Sequence, residues 1–195
     1  MNMKKYFEQG MLVLLEEKNI DNITVGEIIE EVGSCKGTFY KHYLDKYSLC
    51  CACLQNRIYC EVSQDAESWE QFMKQCLSVF EKHARVVLHA FDSSDVNSAR
   101  HYHENLTYKY LIKKYAENGG GMSSALNLLA VKLYCSAVTD LVIKWLSDGC
   151  KESKESIYSL ICAVMPQTVF RELSAKSARS APYRRHGMHS VPFCM

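Results

Sequence analysis

ITVGEIIEEVGSCKGTFYKHYLDKYSL, residues 23–49, predicts a short helix, a tight turn and a second short helix that leads into a third. Thr24 and Glu27 have the Thr-x-x-Glu spacing of a capping box, which satisfies two backbone donors at the start of a helix. The residues that follow form one apolar stripe: Val25, Ile28, Ile29 and Val32. Gly33 then ends the helix, because glycine enters the left-handed conformation of a helix C-terminus at little cost. This order of elements is typical of a helix-turn-helix module.

The second short helix of this stretch is rich in groups that bind phosphates and read base edges. Its two turns hold five such side chains: Lys36, Thr38, Tyr40, Lys41 and His42. A helix of this composition suits the major groove of DNA, whereas the alternative is a helical hairpin with a solvated basic face. Since cysteine is a poor N-cap, we expect this helix to begin one residue early, capped by Ser34 rather than Cys35.

Composition favours an all-helical, cytoplasmic protein. Only three prolines and nine glycines interrupt a chain of 195 residues that is 48% hydrophobic, and this scarcity favours long helices. The N-terminus lacks the uninterrupted apolar core of a signal peptide, and no stretch reaches the roughly 18 apolar residues of a membrane span. We therefore expect the ten cysteines to be reduced, and we expect no membrane partner.

Charge is unevenly distributed along the chain. The net charge is +1, but residues 174–195 contain four basic residues and no acidic residue. These basic residues are Lys176, Arg179, Arg184 and Arg185. The rest of the chain carries a net charge of −3, the difference between +1 and +4, so any affinity for DNA must come from a local basic surface. We predict a helix-turn-helix DNA-binding domain over 1–48, a helical effector-binding and dimerisation domain over 49–173 and a disordered basic tail over 174–195.

Beyond residue 68 the apolar pattern predicts further helices. A helical period holds from Trp69 to Leu88, which predicts one helix of about five turns. The segment from Ser123 to Leu146 is the most apolar, and a last stripe runs from Ile157 to Met165. Two such helices exceed what one protomer needs for its own core. We therefore expect a homodimer that buries the two C-terminal helices in an intersubunit four-helix bundle.

Residues 32–46, VGSCKGTFYKHYLDK, resemble the signature of the TetR family of transcriptional regulators. The matching residues are Thr24, Gly33, Thr38, Phe39, Tyr40, His42, Tyr43 and Lys46. The resemblance implies an all-α fold, with a three-helix DNA-binding head and a larger helical body that binds a ligand and dimerises. It also implies a repressor of a pseudo-palindromic operator in double-stranded DNA, controlled by an unknown small-molecule effector. By position, the implied DNA contacts are Thr24, Lys36, Gly37, Thr38, Tyr40, Lys41, His42 and Lys46.

A weaker resemblance concerns Thr139–Ser153, TDLVIKWLSDGCKES, which is similar to a subgroup that includes regulators of dihydroxyacetone kinase operons. Another function class stays open, namely a helical dimeric adaptor or co-activator that works through its body without direct ligand sensing. The sequence holds no nucleophile–base pair, no carboxylate pair in a recognisable context and no phosphate loop, so we expect neither an enzyme nor a cofactor.

Candidate ligand contacts in the body are aromatic and histidine side chains that can anchor a polar group in an apolar pocket. The predicted contacts are His101, Tyr102, Tyr134 and Trp145. For each of them the alternative is a position in the core or at its rim. His101 and His103 are two residues apart and point to different sides of a helix, so we predict no metal site. Cys50–Cys53 has Cys-x-x-Cys spacing, but without a second pair we favour buried apolar thiols over a thiol switch.

Overall fold

The computed structural model describes residues 2–62, 69–117 and 125–167. Within these ranges the chain forms nine α-helices and two 3₁₀ turns and has no strand, which confirms the all-α fold. The helices are α1 (Met3–Glu17), α2 (Val25–Val32), α3 (Lys36–His42), α4 (Lys46–Arg57), α5 (Trp69–Lys82), α6 (Ala84–Phe91), α7 (Ala99–Glu117), α8 (Ala125–Ser147) and α9 (Lys154–Ala163). The 3₁₀ turns are Ile20–Asn22 and Tyr59–Glu61. The predicted disordered tail, 174–195, lies outside the described residues.

The turn between α2 and α3 is fixed by backbone caps. Thr24 and Glu27 form the predicted capping box, in which the Glu27 amide donates to Thr24 Oγ1 over 3.2 Å and the Thr24 amide donates to Glu27 Oε2 over 2.8 Å. At the other end of α2, Gly33 has φ 64°, and the Ser34 amide donates to a carbonyl in the last turn of α2 over 3.0 Å. Ser34 therefore belongs to the end of α2, and Cys35 is the N-cap of α3. The expectation that Ser34 caps α3 is wrong.

An aromatic cluster holds α3 against α1. The rings of Phe7 and Phe39 meet edge to face with 5.5 Å between their centroids, and both side chains are fully buried. Tyr43, which ends α3, packs against these two rings at centroid distances of 6.2 and 6.1 Å. A helix as short as α3 is not stable alone in water. Its order therefore depends on these contacts.

A buried carboxylate ties the end of α3 to α1 and α4. Glu8 on α1 is 4% exposed, Asn56 Nδ2 donates to its Oε1 over 2.8 Å, and Arg57 Nε lies 3.3 Å from its Oε2. The Tyr43 hydroxyl donates to Glu8 Oε1 over 3.4 Å, and desolvation raises the pKa of this phenol. Because α4 packs along α1, the predicted domain boundary at residue 48 falls inside a helix that helps to build the head.

Helices α5 and α6 replace the single helix predicted from Trp69 to Leu88, and that prediction is wrong. His83 separates them, with φ −109° and ψ 27°, and its Nε2 lies 2.8 Å from Glu61 Oε1. The break lets α6 pack against α1, where His89 Nδ1 lies 2.7 Å from the carbonyl oxygen of Leu15. Since α6 also packs against α7 and α8, it joins the head to the body.

Helix α8 buries one side in the protomer and exposes another. The buried side includes Val131, Cys135, Val138 and Val142. On the other side, Leu126, Leu129 and Leu133 are 76%, 52% and 63% exposed. At the end of α9, Leu160 and Val164 are 46% and 51% exposed. We call these last five residues the α8–α9 apolar face. Helix α8 therefore has two apolar sides, and only one of them is covered within the protomer.

By length and composition alone, α8 is also apolar enough to cross a membrane. Its 23 residues contain a window with a mean hydropathy of 1.6, of which 28% is buried. The expectation that no stretch reaches the length of a membrane span is therefore wrong by this measure. Core helices of soluble proteins give the same values, so this feature is weak evidence for a membrane.

Candidate DNA-binding surface and ligand cavity

Helix α3 turns one face to solvent, and most of the predicted DNA contacts lie on it. The exposed residues are Lys36, Gly37, Tyr40 and Lys41, and the partly buried ones are Thr38 and His42. Within the described ranges, Lys36 and Lys41 form no ion pair. A Cβ added at Gly37 would meet no atom within 4 Å, so the backbone of α3 is open to a close approach by a ligand. This face offers two free cations and a phenol.

Two of the predicted DNA contacts have structural partners instead. Lys46 Nζ donates to the backbone carbonyl oxygens of Asp21 and Ile23 over 2.9 and 3.0 Å, which fastens the turn before α2 to the start of α4. Thr24 Oγ1 is engaged with Glu27 in the capping box. An ammonium group has three donors, so Lys46 keeps one for another partner. Both residues hold the candidate DNA-binding surface in shape, and their direct contact with DNA stays a prediction.

The N-cap thiol of α3 is exposed and paired with the first turn. Cys35 Sγ lies 3.3 Å from Thr38 Oγ1. Hydrogen bonds with the Thr38 side chain and backbone lower the pKa of the Cys35 thiol. Cysteine thus occupies the place that serine or aspartate usually takes at a helix start.

The Cys50–Cys53 pair behaves differently from Cys35. Cys50 and Cys53 are buried, as the apolar interpretation predicts, and desolvation raises the pKa of both thiols. They stay protonated at neutral pH and are poor nucleophiles. In the part of the chain that the structure describes, no group of three or more His, Cys, Asp or Glu side chains is placed to hold a metal ion.

A cavity of about 50 Å³ lies inside the body between α5, α7 and α8. Its apolar lining includes Phe72, Met73, Phe80, Val138 and Val142, and its polar lining includes His103, Thr107 and Thr139. A larger groove of about 500 Å³ lies beside α5, but it is open to solvent and lined by polar and charged side chains such as Glu61 and Lys74. Small-molecule sites are mostly apolar, as the lining of this cavity is, but they usually measure about 300–1,000 Å³, so the cavity is smaller than a typical site.

His103 is held at the edge of this cavity by aromatic neighbours. Its Nδ1 lies 3.1 Å from the Tyr59 hydroxyl, and the rings of Phe80 and Phe91 lie 5.5 and 5.4 Å from the imidazole. Desolvation lowers the pKa of His103 to about 4, so the imidazole is neutral at neutral pH. Among the described residues, its Nε2 has no hydrogen-bond partner.

The four predicted ligand contacts line other parts of the body. Each forms a hydrogen bond within the protein: His101 with Ser98, Tyr102 with Gln55, Tyr134 with Ile161 and Trp145 with Glu152. None of the four lines the cavity between α5, α7 and α8 as the described residues form it. Sequence reasoning passed over His103, although one signal was present. His103, Thr107 and Tyr110 are spaced i, i+4, i+7 and so share one face of α7.

Among the comparisons with known proteins, a family model identifies the family of the chain. The family model of a TetR-type transcriptional regulator C-terminal region matches residues 67–167, just over half of the chain. A solved structure of the fatty acid degradation regulator FadR from Bacillus halodurans is 15% identical, with 87% of this chain and 95% of that chain covered and a TM-score of 0.49. A TetR variant from Acinetobacter baumannii AYE, solved in complex with minocycline, is 20% identical to this chain. The match covers 95% of this chain and 99% of that chain, with a TM-score of 0.41. No curated protein matches the chain. On the match to residues 67–167, the chain belongs to the TetR family of transcriptional regulators.

Proposed function

We propose that the chain is a homodimeric repressor that binds a pseudo-palindromic DNA operator and releases it when a small molecule binds in the body. The exposed face of α3 carries this proposal. Lys36, Tyr40 and Lys41 are available there, while Phe39 on the opposite face is fully buried in the head. A recognition helix needs this separation, because one face must pack against the protein while the other enters the major groove.

The α8–α9 apolar face supports the homodimer. Leu126 and Leu133 are more than half exposed, although they lie on the most apolar helix of the chain. In a twofold dimer the same surface of each protomer meets its copy, so α8 and α9 of two protomers would form a four-helix bundle. Such a dimer presents two α3 helices to half-sites about 34–36 Å apart, one turn of DNA.

Contacts between helices supply a route from the cavity to the head. Helix α7 lines the cavity through His103 and packs against α4, and α6 packs against α1, α7 and α8. A ligand that displaces α7 or α6 therefore disturbs helices that position α3. The ligand controls DNA affinity only to the extent that it binds one arrangement of the two heads better than the other.

A gel-shift titration of the full chain with the DNA upstream of its own gene tests the proposal. We expect the affinity to fall steeply with salt, because phosphate contacts release counterions. Lys36→Ala and Lys41→Ala should each weaken binding and lower the log–log salt slope by about one per head, with the helical circular dichroism spectrum unchanged. Lys151→Ala, at an exposed lysine of the body, is the matched control and should change neither quantity. A flat salt dependence, or equal losses in the control, refutes DNA binding through α3.

A dimeric adaptor or co-activator that works through its body is the second candidate, and the exposed α8–α9 apolar face is the observation that favours it. The same titration separates the two candidates, because an adaptor leaves DNA unshifted. A cytoplasmic location is part of the proposal, since a repressor must reach DNA. The dihydroxyacetone kinase subgroup stays a prediction from Thr139–Ser153.

A further inference from the structure

Two exposed lysines at the start of α1 lie beside the end of α3. Lys4 and Lys5 are exposed, and within the described ranges neither side chain forms an ion pair or a hydrogen bond. The Tyr43 hydroxyl, at the end of α3, donates to the Lys4 carbonyl oxygen over 3.5 Å. Nearby on α1, the ring centroid of Phe7 lies 6.5 Å from that of His42. The first turn of α1 is therefore a neighbour of the last turn of α3, although Lys4 and Tyr43 are 39 positions apart in sequence.

The charges of this part of the head add to those of α3. Residues 3–9 contain one acidic residue, Glu8, which is buried and faces the guanidinium group of Arg57. Helix α3 contains no acidic residue. The basic surface ends where Glu31 of α2 packs beside Gly10 of α1. The exposed charges of residues 3–9 and of α3 are therefore all positive, and we call them the α1–α3 basic surface: Lys4, Lys5, Lys36 and Lys41.

The two α1 lysines contribute little to the fold itself. Exposed side chains without a specific partner usually have little effect on folding stability when they are substituted. A positive charge in the first turn of a helix opposes the helix dipole, and α1 has no acidic residue in its first turn to offset it. Within the described part of the chain, the positive charge of Lys4 and Lys5 is therefore not neutralised by an ion pair.

The dimensions of a helix and of the major groove determine what lies next to this surface when α3 is bound to DNA. An α-helix with its side chains is about 10–12 Å across, and the major groove is about 12 Å wide. In the proposed mode of binding α3 therefore fills the groove, and an element that packs beside the end of α3 lies close to one of the phosphate backbones that border it. Lysine binds phosphate as a compact point charge. Contacts with phosphates carry no sequence information directly.

We propose that Lys4 and Lys5 bind the DNA phosphate backbone at the edge of the groove that α3 enters. Because DNA is the partner, this assignment rests on the proposed function. Helix α3 then contacts base edges, whereas the first turn of α1 holds the head on the duplex whatever its base sequence. Part of the affinity for DNA then comes from outside the helix-turn-helix stretch, residues 23–49.

Fluorescence-anisotropy titrations of the full chain at several salt concentrations test the assignment. The probes are the DNA upstream of its own gene and a random duplex of the same length. The double variant Lys4→Ala, Lys5→Ala should bind both duplexes at least about tenfold more weakly at about 0.1 M salt, and its log–log salt slope should be lower by about two per head. Because phosphate contacts do not depend on base sequence, the ratio of the two affinities should stay within about twofold of the ratio for the unsubstituted chain.

Two matched variants separate a phosphate contact from other effects of the substitutions. Lys4→Arg, Lys5→Arg keeps both charges and should retain the salt slope. Lys109→Ala, Lys151→Ala removes two exposed lysines of the body, and so the same net charge, and should change neither slope nor affinity. The helical circular dichroism spectrum should be the same in every variant, because all the replaced side chains are exposed.

The possible outcomes distinguish this assignment from the proposed function. A lower slope on both duplexes that arginine restores supports the α1 contact. A slope equal to that of the body control, or a loss of affinity confined to the upstream duplex, overturns the α1 contact and leaves the proposed function standing. If the unsubstituted chain binds neither duplex, both the α1 contact and the proposed function are overturned.

Discussion

The α8–α9 apolar face predicts that Leu133→Asp converts a dimer into a monomer. Leu133 is 63% exposed, and its neighbours Leu126 and Leu129 on α8 are 76% and 52% exposed. Full burial of a leucine side chain stabilises a protein by about 1.5–3 kcal/mol. Burying the exposed part of Leu133 in a dimer interface should therefore contribute about 1–2 kcal/mol in each protomer. Twofold symmetry doubles every substitution, and each aspartate also places a carboxylate against apolar side chains. The dimer should therefore weaken by about 4 kcal/mol or more, which is about a thousandfold in the dissociation constant.

Sedimentation velocity of the full chain in the micromolar range measures this change. We expect the unsubstituted chain to sediment at about twice the protomer mass and Leu133→Asp at the protomer mass of 22.3 kDa. The helical circular dichroism spectrum should persist, because the Leu133 side chain is outside the protomer core. Val96→Asp is the matched control, since Val96 is 80% exposed but precedes α7 and so lies outside α8 and α9. A Leu133→Asp protein that stays dimeric, or dissociation of both variants alike, would refute the reasoning.

Three further expectations concern the free energy of unfolding, measured with denaturant. Gly10→Ala should lower this free energy by about 1–3 kcal/mol, because a Cβ there would lie 2.6 Å from Val32 Cγ2. Gly26→Ala has space for the added methyl group and should raise the free energy of unfolding by about 0.5–1 kcal/mol. Changes of the same sign in the two variants would contradict the prediction. Glu8→Ala should lower the free energy of unfolding by about 3–5 kcal/mol, because it leaves the partly buried guanidinium of Arg57 without its ion-pair partner. A loss no larger than that of an ordinary surface substitution would show that the Glu8–Arg57 ion pair does not stabilise the fold. His103 has its pKa lowered from 6.5 to about 4, so the unfolded chain binds a proton that the folded chain does not. The free energy of unfolding should therefore fall by about 2–3 kcal/mol as the pH drops from about 6.5 to 4, and His103→Phe should flatten this part of the profile; an unchanged profile would exclude His103 as the cause.

Capping and turn preferences of residues close in sequence were sufficient to predict most of the structure of the head. The capping box of Thr24 and Glu27 and the left-handed Gly33 involve residues within one or two turns, so their spacing in the sequence determines their geometry. The start of α3 was predicted wrongly because two helix ends share one short turn. Capping preference ranks serine above cysteine, but the end of α2 uses the backbone of Ser34, and Cys35 is left to cap α3.

The body was harder to predict because its decisive contacts are distant in sequence. The apolar period runs through His83 without interruption, and the break there is accompanied by a bond to Glu61, 22 positions earlier. The contact of His103 with Tyr59 spans 44 positions. Neither pair has a local signature, so the pattern of α7 predicted a helix without indicating which of its polar residues meets the cavity. Lys46 is a related case, since its family position implies DNA while its ammonium group binds two carbonyl oxygens.

The separation of buried and exposed residues on α3 has a consequence for how operator preference diverges among related regulators. Phe39 and its contacts with Phe7 and Tyr43 stabilise the helix, whereas Lys36 and Lys41 make no ion pair within the described part of the chain. Exposed positions of this kind usually change folding stability by no more than about 0.5 kcal/mol when substituted. In the proposed mode of DNA binding, base preference can therefore drift in evolution, or be redesigned, without selection against unfolded variants. In that mode the same scaffold is free to acquire new targets, and the evolutionary constraint falls on the aromatic rings beneath the exposed face of α3.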